Sequence, residues 1–139
     1  MKVYAVVDTN VLVSAMLSRH SDSATVRVLR SILSGDIRPL IHENIINEYR
    51  EVMARRKFKL PQQKVQSIVG KIESDGLKVD PVPTTEFFPD TKDVVFYEVA
   101  LSKDDAFLVT GNLKHFPRKP IVVTPAEMMQ ILDNLDKQI

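Results

Sequence analysis

Apolar positions run along this chain in two different rhythms. Val3-Tyr-Ala-Val-Val7 and Ala106-Phe-Leu-Val109 are unbroken apolar stretches, and each closes on polar groups, Asp8 in the first and Thr110-Gly-Asn112 in the second. A strand with one wet face would alternate, so these runs predict strands covered on both faces. Arg38-Pro-Leu-Ile-His42 and Ile121-Val-Val-Thr124 predict two more, with Pro39 at a strand start, where its missing N–H is tolerable. Leu77 to Val82 alternates as an edge strand, and the proline-rich segment Pro81 to Pro89 is a loop.

Between the strands the rhythm lengthens to that of helices. Asp8-Thr-Asn10 is a helix-start signal ahead of Val11 to Leu17, and Ser21-Asp-Ser23 opens a second helix carrying Val26, Leu29, Ile32 and Leu33 to a Gly35 cap. A third, Glu43 to about Arg56, puts Ile45, Ile46, Tyr49, Val52 and Met53 on one stripe; a fourth, Gln62 to Ser74, buries Val65, Ile68, Val69 and Ile72 before stopping at Asp75-Gly76. Pro89-Asp90-Thr-Lys-Asp93 opens a fifth, apolar almost all round from Val94 to Leu101 and therefore heavily buried. Pro125 starts the last, whose Met128, Met129, Ile131, Leu132 and Leu135 form a stripe with the methionines as core filler. Helices alternating with strands around two apolar strands predict a three-layer α/β/α domain with a mainly parallel central sheet, residues 1–139 forming a single domain.

Composition narrows this picture by exclusion. A chain of 139 residues is long enough to bury a core without staples, and its lack of cysteine excludes disulfides and thiolate metal sites. Asp8 interrupts the first apolar run too early for a secretory signal, and no segment approaches the roughly 18 apolar residues of a membrane span. A cytoplasmic protein without a membrane partner is expected. The net charge of +1 argues against a strongly basic nucleic-acid coat, so local clusters carry the weight.

Two parallel strands ending in Asp8 and in Thr110-Gly-Asn112 deliver both endings to one sheet edge, and the helix start at Asp93 can point there too. On the third helix, at about 100° per residue, Glu48 lies nearer the apolar stripe than Glu43 or Glu51 and is the acid able to lean toward that edge. Carboxylates about 4 Å apart repel by roughly 4 kcal/mol at an effective dielectric near 20, so such a cluster needs a cation or raised pKa values. Oxygen ligands favour Mg²⁺ or Mn²⁺, whereas His20, His42 and His115 are too scattered in sequence to suggest a nitrogen-rich site. Carboxylate-bound metal suits phosphodiester hydrolysis. Structural readings stand beside these: Glu48 as a surface ion-pair residue, Asp90 and Asp93 as a helix cap and its partner, and Arg55, Arg56, Lys57 and Lys59 as a solvated helix end rather than a phosphate contact.

Val6-Val-Asp8-Thr-Asn10-Val-Leu-Val-Ser14, Glu48, Asp90-Thr-Lys-Asp93 and Leu108-Val-Thr110-Gly-Asn112-Leu-Lys-His115-Phe, in this order and spacing, resemble the PIN-domain ribonucleases, in particular the toxins of toxin-antitoxin pairs. The resemblance implies that Asp8, Glu48 and Asp93 bind one or two Mg²⁺ or Mn²⁺ ions for cleavage of single-stranded RNA, and that Thr9, Asn10, Ser14 and Thr110 line the site. It also implies an antitoxin partner and a homodimer or higher oligomer. Many members of the family carry a fourth acid where this chain has Asn112, and Asp90 could compensate for it. Lys114, with the Arg55 to Lys59 cluster, could hold phosphates on either side of the scissile bond.

Two other classes compete. A phosphotransferase with Asp8 as nucleophile, as in haloacid-dehalogenase-like proteins, wants a second acid at the position of Asn10. A catalytically weak or inactive PIN-like RNA- or protein-binding module would follow if Asn112 leaves the acid set too weak to cleave.

Overall fold

A computed structural model describes residues 2–137. Five strands, β1 (Val3–Val7), β2 (Ile37–Ile41), β3 (Leu77–Lys78), β4 (Phe107–Val109) and β5 (Val122–Val123), form one sheet in the order β3-β2-β1-β4-β5, and every neighbouring pair is parallel. The helices are α1 (Thr9–Leu17), α2 (Ala24–Ser34), α3 (Glu43–Met53), α4 (Gln62–Asp75), α5 (Val94–Ala100) and α6 (Pro125–Asp136). α2 packs against α1 and α6, while α3 packs against α4 and α5, which gives the three-layer α/β/α arrangement. β1 lies at the centre, with Ala5, Val6 and Val7 almost wholly buried, because both its faces are covered by helices.

The strand order fixes where a site can form. From β1 the chain winds outward through β2 and β3, then returns to the opposite side of β1 for β4 and β5. The order therefore reverses between β1 and β4, and the crevice beyond their carboxyl ends is the place where open parallel sheets bind ligands. Asp8 and Thr110 are the residues that follow these two strands, and Asp8 N–H donates to the Val109 carbonyl at 2.9 Å. Tyr49 on α3 reaches the same place from below, its hydroxyl donating to the Val7 carbonyl at 2.5 Å.

Several boundaries differ from the sequence expectation. Pro39 stands in the middle of β2 and not at its start. The Ile41 carbonyl accepts from Val79 on the β3 side, so with a period of two the N–H that Pro39 lacks would point to that side as well. There β3 begins only opposite Leu40, and the nearby Asp75 carbonyl accepts Arg38 Nε at 3.2 Å instead. The edge strand is only two residues long, because Pro81 and Pro83 cannot donate to a ladder; the chain leaves the sheet and Val82 N–H bonds the Glu98 carbonyl. α3 ends at Met53, and Arg56–Phe58 form a separate 3₁₀ turn closed by Lys59 in the left-handed region, φ 51°. Gly35 caps α2 at φ 90°, as its position predicts. Gly76 serves close approach: a Cβ there would lie 2.7 Å from the Ile72 carbonyl oxygen and 2.8 Å from Ile41 Cγ2.

Candidate active site

A cleft of about 540 Å³ opens beyond the carboxyl ends of β1 and β4. Asp8, Thr9, Asn10 and Ser14 enter it from the end of β1 and the start of α1, Glu48 and Arg55 from α3 and its end, and Asp90, Lys92 and Asp93 from the turn before α5. His115 lines it from the turn after β4, and Val13, Leu17, Val52 and Phe58 supply an apolar wall. Asp8, Glu48 and Asp93, far apart in sequence, thus share one cavity.

The start of α1 explains how Asp8 is held. Asp8 occupies the N-cap position without making a side-chain capping bond. Its Oδ2 instead accepts from Thr110 Oγ1 at 2.8 Å and from Asn10 Nδ2 at 3.1 Å, while Asn10 Oδ1 accepts from the Gly111 N–H at 3.3 Å. Residue types that commonly cap a helix are here turned toward a carboxylate and toward the β4 end. One oxygen of Asp8 accepts two hydrogen bonds from neutral donors, which fixes the carboxylate without neutralising it. Thr110 is fully buried behind Asp8 rather than lining the cleft. Thr9 Oγ1 donates to Glu48 Oε2, tying the start of α1 to α3.

Asp93 is held differently. Asp90 does act as a cap, of the 3₁₀ turn Thr91–Asp93 that leads into α5, its Oδ1 accepting from the Lys92 N–H at 2.9 Å, whereas Asp93 makes no side-chain cap bond to α5. Asp93 Oδ2 is the one buried side-chain oxygen or nitrogen among the described residues without a hydrogen bond. His115 Nδ1 lies 3.4 Å away without hydrogen-bond alignment. A buried acceptor without a protein partner costs about 1–3 kcal/mol, more when charged, so this oxygen is a free acceptor suited to a cation or a donor.

The electrostatics agree with that reading. Burial pushes the Asp8 carboxyl above its ordinary range, against the pull of its hydrogen bonds to Thr110 and Asn10. Glu48 is raised by burial and by the charges of Asp8 and Glu51. Asp93 is pushed up to about 6 by burial, then by Asp8, with Asp90 and Glu48 adding to the repulsion and His115 opposing it. Three acids, all destabilised as anions, face one space.

These residues fit a hard divalent ion. Carboxylate oxygens are the donors that Mg²⁺ and Mn²⁺ favour, and the bare Asp93 oxygen is available to one. Among the described residues no three acidic or histidine side chains are already drawn together tightly enough to enclose an ion, so coordination would need side-chain closure and retained waters.

The remaining predicted residues separate. Arg55 lines the cleft, but its guanidinium is engaged by Glu51 at 3.0 Å; Arg56, Lys57 and Lys59 do not line it, and Lys57 Nζ sits 5.0 Å from the centre of the Phe58 ring. Lys114 lies in another groove with Phe116, Arg118 and Lys119. Asn112 is not among the lining residues, and its Nδ2 is 2.9 Å from His115 Nε2. Lys92 and His115 line the cleft and escaped the sequence reading. Lys92 was visible between two acids, and His115 three residues after Asn112, the spacing of one turn. His42 lies instead in a separate cavity of about 410 Å³ beside β2 and β3, with Glu43, Glu73, Lys78 and Asp80.

A parallel α/β sheet with a buried carboxylate at its switch point and two further acids facing it defines a class of acid-lined α/β domains. Within that class, the profile of the PIN domain matches residues 4–114, and the chain belongs to the PIN domain family. PIN domains are in general nucleases and typically use divalent metals. Comparison with curated proteins and with solved structures found no match. No helix among the described residues is long and apolar enough to cross a membrane.

Proposed function

We propose that this protein is an endoribonuclease that hydrolyses phosphodiester bonds of single-stranded RNA, with Asp8, Glu48 and Asp93 holding Mg²⁺ or Mn²⁺. The observation that carries the reading is the convergence of three acids with raised pKa on one cleft, together with the bare buried oxygen of Asp93. Bound there, the metal would supply Lewis-acid polarisation of a phosphate oxygen and a more acidic water. The protein's own groups do the positioning. Asn10 and Thr110 hold Asp8 in one rotamer, Thr9 holds Glu48, and Lys92 and Arg55 offer cations to the flanking phosphates.

Its biological setting is proposed on the resemblance: a cytoplasmic toxin, homodimeric or larger, neutralised by an antitoxin protein. Cleavage of a single-stranded RNA in Mn²⁺, lost with EDTA and with Asp8→Asn, tests the enzymatic reading. Growth arrest on expression, relieved by a neighbouring gene product, tests the toxin role. A second reading, a weak or inactive RNA- or protein-binding module, draws on Asn112 standing where many relatives carry an acid. RNA binding without cleavage in any divalent metal would favour it.

A further inference from the structure

Asn112 stands at the fourth-acid position of the resemblance, yet its side chain is directed to His115 and not to the acids. The imidazole lies between the two sites of interest: Nε2 is 2.9 Å from Asn112 Nδ2, and Nδ1 is 3.4 Å from the bare Oδ2 of Asp93. The link is anchored by the backbone as well. Asn112 N–H donates to Thr110 Oγ1 at 3.0 Å, Thr110 Oγ1 donates to Asp8 at 2.8 Å, and His115 N–H donates to the Asn112 carbonyl at 3.1 Å across a 3₁₀ turn. His115 is therefore placed relative to Asp8 by a continuous set of hydrogen bonds, and its ring stands beside Asp93 by proximity alone.

Resting on the metal-dependent reading above, we propose that His115, oriented by Asn112, is a nitrogen ligand for the divalent ion at Asp93 and takes the place of the fourth acid. Two ligands each about 2.1 Å from an octahedral ion lie about 3 Å apart at adjacent positions and further as their angle opens. The 3.4 Å between Nδ1 and Oδ2 falls in that range, so an ion can sit between these atoms with little movement of either.

The amide explains why an asparagine suits this position. An Asn112 Nδ2 donor at Nε2 goes with the tautomer that carries its proton on Nδ1. For Nδ1 to ligate an ion, the proton must stand on Nε2, and the amide then presents Oδ1 to it after a half-turn. An asparagine serves both states. An aspartate could only accept, and would hold the ring in the ligating tautomer throughout.

A mixed nitrogen and oxygen set favours Mn²⁺ over Mg²⁺ more than carboxylates alone do. The test is Mn²⁺ titration of the full chain followed by electron spin echo spectroscopy, which detects ¹⁴N coupled to bound Mn²⁺. Wild type should show a directly bound imidazole nitrogen. His115→Ala, at a half-exposed side chain, should lose that signal and bind Mn²⁺ about tenfold more weakly, with a smaller change for Mg²⁺. Asn112→Asp should tighten Mn²⁺ severalfold, and the gain should vanish when His115→Ala is also present. Bound Mn²⁺ without nitrogen coupling in wild type would overturn the assignment while leaving the acid site intact. An equal gain from Asn112→Asp with and without His115 would also overturn it, by making residue 112 a direct ligand. Failure of wild type to bind Mn²⁺ at all would sink both this inference and the metal-dependent reading beneath it.

Discussion

Replacing Asp93 by Asn should stabilise the metal-free protein and weaken its response to metal. The folded-state pKa of Asp93 is about 6, above the roughly 3.9 of an unfolded aspartate. Between those values the folded state holds the proton more tightly than the unfolded state, so this group's stabilising contribution is complete below about pH 4 and is lost as pH rises through about 6. At about 1.4 kcal/mol per pH unit the loss could reach about 3 kcal/mol, and screening by water in an open cleft reduces it to about 1–2 kcal/mol. Asn is neutral at every pH and keeps the side-chain shape. In EDTA at pH 7.5, Asp93→Asn should therefore raise the melting temperature by about 3–8 °C, whereas near pH 4 the two proteins should melt together. Saturating Mn²⁺ should reverse the order, since an ion at 100 times its dissociation constant adds about 2.7 kcal/mol to wild type and less to a variant that has lost a ligand. Calorimetric melts at the two pH values, each with EDTA and with Mn²⁺, make the comparison. A variant destabilised equally at pH 4 and pH 7.5 would refute the repulsion argument and return Asp93 to a structural role.

Three further outcomes follow from the same geometry. Tyr49→Phe removes the buried hydroxyl that bonds the Val7 carbonyl; urea unfolding should show a loss of about 1–2 kcal/mol, and an unchanged midpoint would mean that this bond contributes nothing net. Lys92→Gln should weaken single-stranded RNA binding by a similar factor for all sequences and flatten its salt dependence by about one ion, while Arg56→Gln, outside the cleft, should leave the slope alone; the reverse order would relocate the phosphate path. Thr110→Val deletes the donor to Asp8 Oδ2 and the acceptor of Asn112 N–H, so cleavage should fall about 10- to 100-fold with the fold retained by circular dichroism, and full activity would show that Asp8 needs no such support.

The strand ends were legible in sequence because burial on both faces leaves an unmistakable apolar run, and the polar residue that ends it must sit at the sheet edge. Asp8 and Thr110 were found this way. Glu48 followed from helical geometry, since one wheel position lies nearest the apolar stripe. The turns were less legible. Arg56–Phe58 and Leu113–His115 are short 3₁₀ segments, whose direction depends on hydrogen bonds that periodicity does not record. The basic cluster after α3 reads in sequence as a solvated helix end or, less readily, a phosphate contact, without a way to separate its members, and the structure turns only Arg55 into the cleft. Sequence spacing alone leaves His115 an isolated histidine, and nothing in it singles out Lys92. Pro39 misled for another reason: its tolerance in mid-strand depends on β3 starting one residue later, which only the neighbouring strand reveals.

The arrangement couples the site to the buried centre of the fold. Tyr49 is wholly buried and bonded to Val7, so α3 is pinned to the end of β1, and Glu48, the preceding residue, is set beside Thr9 and Asp8. Burial of the tyrosine also raises its pKa, with Asp8 and Glu48 adding to the effect, which keeps the hydroxyl a donor throughout the physiological range. Asp8 and Glu48 are thereby held where they repel, Asp8 by a buried hydrogen bond from Thr110 and Glu48 by a partly buried one from Thr9. Asp93 lacks such an anchor, its carboxylate standing beside a histidine on a short turn. Two acids are fixed by the core, then, and a third is left to answer the ligand. Metal affinity should depend on all three, but melting temperature without metal should respond to relief of charge most strongly at Asp93, where no protein donor offsets the burial of Oδ2.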